Sequence, residues 1–138
     1  MYSEIDMKNL RTIREVAEET GLSTDTLRYY ERIGLISDIR RASNGHRRYS
    51  DADIFWIFFL KQLRATGMPI SQMQHFAQLR REGDTTVMQR REMLEQHRKK
   101  LEEQVESIMD FMSIIDFKIA RHRAYERQAL EDKENEQS

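Results

Sequence analysis

At 138 residues the chain has room for one small domain plus an appendage, and little for a separate ligand-binding domain. Charged residues make up 34% of it, yet the formal net charge is only −1, so the chain is no polycation and basic surface has to be local. Cysteine is absent, which excludes soft-metal thiolate sites and iron–sulfur ligation. Met1 to Leu10 lacks the apolar core of a signal peptide, and the apolar run Ile54–Leu60 is seven residues long, too short to cross a bilayer. A cytoplasmic protein with no membrane partner is the expectation.

Two short helices with a tight turn between them come first. Thr12-Ile13-Arg14-Glu15 reads as a capping box, in which hydroxyl and carboxylate satisfy each other's backbone amides. The first helix runs to about Thr20 with Ile13, Val16 and Ala17 inward, and Gly21 stops it. Leu22 plugs the turn. Ser23 caps a second helix, Ser23 to about Ile33, which Gly34 ends. Leu27 with Tyr30 or Ile33 makes its buried stripe and leaves Thr24, Asp25, Arg28 and Tyr29 outward. A helix-turn-helix with Thr, Arg and Tyr on its free face suits the major groove. Arg14 and Thr26 join Thr24, Arg28 and Tyr29 as candidate DNA contacts. The bland alternative is a protein-binding helical pair.

Next comes Arg40 to Tyr49, RRASNGHRRY. It sets four arginines and a histidine within nine residues, with no acid among them. Asn44-Gly45 at its middle is a hairpin signal of the type in which both turn positions take φ > 0. Folded so, Arg40, Arg41, His46, Arg47 and Arg48 sit on a stiff ribbon beside the helix pair, a wing suited to a phosphate backbone or a minor groove. An exposed basic hairpin with no partner is the alternative; the helix pair before it favours DNA.

Ser50 to Asp53 caps a third helix, which Gly67 and Pro69 end. It is apolar on nearly every side until Lys61, as expected of a helix buried on several faces. Ile54, Ile57, Phe58 and Leu60 are expected in the head core, with Phe55, Trp56 and Phe59 against the next helix or a partner chain. An aromatic ligand pocket around Trp56 is the sharper alternative. A fourth helix, Ser71 to Arg81, turns Met73, Phe76 and Ala77 inward, and Gly83 ends it.

The last element carries a heptad. Val87, Leu94, Leu101, Ile108, Ile115 and His122 recur every seven residues, and a companion seam reads Asp84, Arg91, Arg98, Val105, Met112 and Ile119. From Leu101 to Ile119 both seams are apolar, so a helix of roughly Thr85 to Tyr125, on the order of 60 Å long, should pair knobs into holes with another. No second long helix exists in the chain, so the partner is another copy. The dimer interface is assigned to Leu101, Val105, Ile108, Met112, Ile115 and Ile119. The charged stretch before Leu101 is expected to pack on the heads, and Phe111, Ile114 and Phe117, off the seam, imply further contact with the partner's head or third helix. Residues after about Arg127 hold five acids against two bases from Glu126 onward, and are expected to be disordered.

The runs IREVAEETGLSTDTLRYYERIGLI, NGHRRYS and LRATGMPISQM resemble the MerR family of bacterial transcription regulators over about residues 10 to 125. The resemblance implies a mainly α fold: a winged helix-turn-helix DNA-binding head (10–82), a long antiparallel coiled-coil dimerisation helix (84–125) and an acidic tail (126–138). It also implies a homodimer on a near-palindromic promoter element, distorting an overlong spacer so that RNA polymerase, an indirect partner, engages both promoter elements. By the same resemblance Arg47 is the leading wing contact, and His46 stands where a tyrosine is more usual. FLKQLRATGMPI is similar to the AdhR-like, aldehyde-responsive branch, in which a reactive cysteine close to Gln62 is expected. This chain has none, so nucleophilic sensing of electrophiles is not carried over.

His46, His75, His97 and His122 show no tight metal spacing; His122, on the seam, reads as a packing or pH-sensitive residue. No nucleophile–base pair, glycine-rich phosphate loop or paired-carboxylate constellation stands out. A regulator rather than an enzyme is expected, with no cofactor and with a small-molecule effector as an optional input. An architectural or excisionase-like DNA-binding protein, using the same head without tuning polymerase, is the alternative.

Overall fold

The structure, a computed structural model, describes residues 9–138, so most of the Met1–Leu10 segment lies outside the described residues. The chain divides into two compact units, Met1–Glu95 and Gln96–Ser138.

In the first unit, α1 (Ile13–Thr20) starts on the expected capping box: the Glu15 amide donates to the Thr12 hydroxyl, and the Thr12 amide to the Glu15 carboxylate, each at 3.2 Å. Gly21, at φ 76°, closes it in the left-handed conformation, and Lys61 Nζ donates to the Thr20 carbonyl at 2.6 Å. Helix α2 (Thr24–Arg32) is capped by Ser23, whose hydroxyl accepts from the Thr26 amide. Leu27 and Tyr30 are its buried stripe, while Ile33 is only partly covered.

The wing pairs β1 (Arg40–Arg41) with β2 (Arg47–Arg48) antiparallel, Arg40 opposite Arg48 and Arg41 opposite Arg47. Its turn differs from the expected two-residue type. Gly45 has φ 82° while Asn44 stays at negative φ, the Gly45 amide donates to Ala42 O, and the Ala42 amide donates to His46 O. This is a three-residue loop with a glycine bulge, stabilised by Asn44 Oδ1 accepting from the His46 amide at 3.0 Å. Arg11 adds an isolated bridge to Tyr49, with reciprocal amide–carbonyl bonds of 2.8 Å, so the ribbon is anchored to the segment before α1.

Helix α3 (Asp51–Ala65) begins on a Ser50–Asp53 capping box and buries Trp56, Ile57, Leu60 and Leu63. Phe58, expected in the core, is half exposed instead, and Phe55 is largely exposed. A helix that is apolar all round gives periodicity nothing to choose between, and here the 56/57/60/63 face wins. Trp56 and Phe59 do meet the next helix, α4 (Ile70–Glu82), at ring-centroid distances of 5.9 and 6.2 Å from Phe76. Met73, Phe76 and Ala77 are buried as expected. Gly83 and a 3-10 turn, Asp84–Thr86, lead into α5 (Val87–Gln137).

Residues after Arg127 do not uncoil: α5 continues to Gln137, with Gln128 Nε2 donating to Asp132 at 3.1 Å. A polar, acidic composition says that a segment is not buried. It does not remove helix propensity, and ALEDKENEQ consists largely of strong helix formers with no Gly or Pro. Along the second unit Val105, Ile108, Met112, Ile115 and Ile119 are all exposed in the single chain.

Candidate nucleic-acid interface

The exposed face of α2 and the wing enclose a cleft of about 300 Å³ lined by Thr12, Ile13, Arg28, Gly45, His46, Arg47 and Arg48. Four of the candidate DNA contacts, Arg28, His46, Arg47 and Arg48, therefore share one concavity, with the N-cap of α1 at its edge. Arg28 projects from the exposed side of α2, 3.5 Å from Asp25. Tyr29 is exposed as well, with the Arg32 guanidinium carbon 5.4 Å from its ring centroid. Arg14, Thr24, Thr26, Tyr29, Arg40 and Arg41 lie outside the cleft lining. Thr26 belongs to the cap: its hydroxyl accepts from Ser23 Oγ at 2.8 Å.

The wing arginines are not equivalent. Glu31, near the end of α2, accepts Arg47 Nε on one carboxylate oxygen and Arg41 on the other, the latter at 3.2 Å. Arg41 also donates to Gly45 O at 3.0 Å, and Arg48 to Arg47 O at 2.9 Å. Tyr49, next along the chain from Arg48, is fully buried, and its hydroxyl has no hydrogen-bond partner among the described residues. Burial, reinforced by the Glu31 carboxylate, pushes that hydroxyl up to about 12, so it stays neutral.

Two functional-looking groups escape a sequence reading. Glu31 meets the wing across ten and sixteen residues of chain, a spacing with no local signature. Arg11 bridges Glu19 at 2.9 Å and Asp51, joining the starts of the wing anchor and α3; its hydrogen bond to Asp51 raises its pKa further. Among the described residues no group of three His, Asp or Glu side chains could hold a metal, and no helix is long and apolar enough to cross a membrane.

Residues 11–79 match the family model described as MerR HTH family regulatory protein, and residues 56–114 match MerR, DNA binding. The chain belongs to the MerR family. Relatives include the HTH-type transcriptional regulator AdhR of Bacillus subtilis, 43% identical over 89 residues, which are 64% of either chain. The chain thus spans a little under two thirds of that regulator's length. An HTH-type transcriptional regulator of Haemophilus influenzae is 31% identical over 79% of this chain and 81% of its own. Among solved structures, a MerR family regulator from Listeria monocytogenes superposes with a TM-score of 0.81 at 36% identity, over 93% of this chain and 99% of that one. HiNmlR, a MerR family regulator lacking the sensor domain and bound to promoter DNA, gives 0.76 at 31% identity over 80% and 88%. The fold of this MerR chain, a winged helix-turn-helix head followed by a long helix, is the fold of these neighbours.

Proposed function

We propose that this chain is a homodimeric, sequence-specific transcription regulator that binds a near-palindromic promoter element and acts by distorting its spacer. The observation that carries the reading is the shared cleft: Arg28 of the helix-turn-helix and Arg47 and Arg48 of the wing are held at one concave surface. A major-groove helix flanked by a basic ribbon meets base edges and backbone together. HiNmlR, similar over 80% of this chain, was crystallised on promoter DNA, which supports the promoter-DNA part of the reading.

Dimerisation follows from the apolar row Leu101, Val105, Ile108, Met112, Ile115 and Ile119 on a helix with no second long helix among the described residues to cover it. Antiparallel pairing of two such helices separates the heads, which then reach one face of DNA only at about 34–36 Å or a multiple. Where straight DNA does not offer that spacing, bending or untwisting costs a few kcal/mol and becomes the regulatory variable. In this reading the protein works in the cytoplasm without catalysis, touches polymerase only through the DNA, and takes an effector, if any, without cysteine chemistry. Footprinting on the upstream region of its own gene tests it. Protection across a promoter spacer is expected; scattered binding would point to an architectural protein, and no binding would refute the DNA reading.

A further inference from the structure

Three consecutive backbone carbonyls, those of the α2 C-cap Ile33 and of the next two residues, each receive a side-chain donor from elsewhere in the head. Gln74 Nε2 donates to Ile33 O at 2.9 Å, Arg81 Nη1 to Gly34 O at 2.8 Å, and Trp56 Nε1 to Leu35 O at 2.9 Å. The last carbonyls of α2 itself are taken by the amides of the residues that follow it, and carbonyls just past a helix end ordinarily turn to water. Here the carbonyls of Ile33, Gly34 and Leu35 turn to side chains of α3 and α4. Gln74 and Arg81 lie on α4 itself, and the Trp56 indole stacks on Phe76 of α4 with the Arg80 guanidinium carbon 4.2 Å from its ring centroid. The same segment is pinned on its amide side, because Leu35 N and Ile36 N both donate to Tyr30 O. Helix α4 is locked in turn to the first turns of α5. The Thr86 hydroxyl lies 2.5 Å from Leu79 O, and Arg90 donates to Thr86 Oγ1 and to Gly83 O, each at 3.1 Å.

We propose that Gln74, Arg81 and Trp56 are positioning residues that make the recognition helix follow α4, so that the tilt of α4 and the start of α5 sets the pitch at which Arg28 and Tyr29 meet DNA. None of the three lines the cleft, so they act through α2. The apolar contacts of Leu27 and Tyr30 hold α2 against the core without fixing its angle, because burial is non-directional. Hydrogen bonds to three successive carbonyls are directional and fix it. Base-edge readout needs that angle, whereas phosphate attraction tolerates its loss. The inference rests on the DNA-recognition reading above.

The test uses the full chain carrying Gln74→Met with Arg81→Met, and a second variant, Arg81→Lys, which keeps a donor. The probes are the duplex that the wild-type protein selects from a random library and an unselected random duplex. The double variant should lose about tenfold or more in affinity for the selected duplex while changing less than about twofold on the random one. Arg81→Lys should stay near wild type, and melting curves check that both fold. Unchanged affinity for the selected duplex overturns the proposal. So does a parallel loss on both duplexes, which would show that these side chains hold up the head rather than aim it. A wild-type protein that selects no duplex overturns the DNA-recognition reading, and the clamp with it.

Discussion

Glu31 on α2 and Arg47 on the wing are joined by an ion pair, and Arg41 is a second donor to the same carboxylate. The Glu31 side chain is 23% exposed, so a half-buried anion sits within a basic surface and offsets two of the four wing arginines. Glu31→Gln should therefore raise affinity for random duplex and steepen the dependence of log K on log salt by roughly one phosphate contact. The Arg48 guanidinium donates to the neighbouring Arg47 carbonyl and to no carboxylate among the described residues, so Arg48→Ala should flatten that slope by about one contact, and Arg47→Ala by less. Fluorescence anisotropy titrations across a salt series measure all three. A flatter slope for Glu31→Gln would mean that the wing needs the carboxylate to hold its shape.

Among the described residues the ion pair of Arg28 is with Asp25 at 3.5 Å, with the two side chains 48% and 96% exposed, a pair too solvated to hold the guanidinium. It is thus available to a base edge. Arg28→Ala should cost roughly 1–3 kcal/mol on the operator and clearly less on random duplex. Equal losses on both would assign Arg28 to the phosphate backbone.

How far the sequence reached is plain from these residues. Thr12–Glu15 and Ser50–Asp53 announced their helices because a capping box is local chemistry written in four residues. The wing is visible from its arginines and Asn44-Gly45, but its loop length is not, since Asn-Gly suits a two-residue turn with both residues at positive φ as well as a three-residue loop with only the glycine left-handed. Phe58 is half exposed against expectation because α3 has no polar face to orient it. The polar stretch after Arg127 hid a helix because solvation and backbone order are different properties. Glu31 could not be found from spacing, as its partners arrive from the wing only after folding.

Tyr49 is expected to tolerate loss of its hydroxyl. The group is buried, has no partner among the described residues, and is raised to about 12 by burial. Tyr49→Phe keeps the ring and removes the cost of desolvating an unpaired hydroxyl, so the melting temperature should stay level or rise. A destabilisation of more than about 1 kcal/mol would reveal a hydrogen bond that the structure lacks.

The α1 cap should be sensitive to acid. Hydrogen bonds from the Thr12 amide and with the Thr12 hydroxyl hold the Glu15 carboxyl below its ordinary value of 4.5. A carboxyl lowered in the folded state lends stability that is present above its unfolded value and is lost as pH falls toward the folded one. Below pH 4.5 the wild-type melting temperature should therefore fall more steeply than that of Glu15→Gln. Thermal melts of both proteins through the acid range decide this, and parallel curves would show that no proton is linked to the cap.

Two chains joined along α5, each presenting one head to a shared operator, are the core of the proposed function, and Ile108 and Ile115 are the residues to break it. They stand 59% and 40% exposed in the single chain and would be buried against a second copy. An unpaired carboxylate in such a seam is strongly unfavourable. Sedimentation velocity together with a gel-shift titration of Ile108→Asp/Ile115→Asp should show a folded monomer that retains weak binding to random duplex and loses tight binding to the full operator. A double variant that remains dimeric, or a monomer that grips the full operator as tightly as wild type, would contradict the assignment.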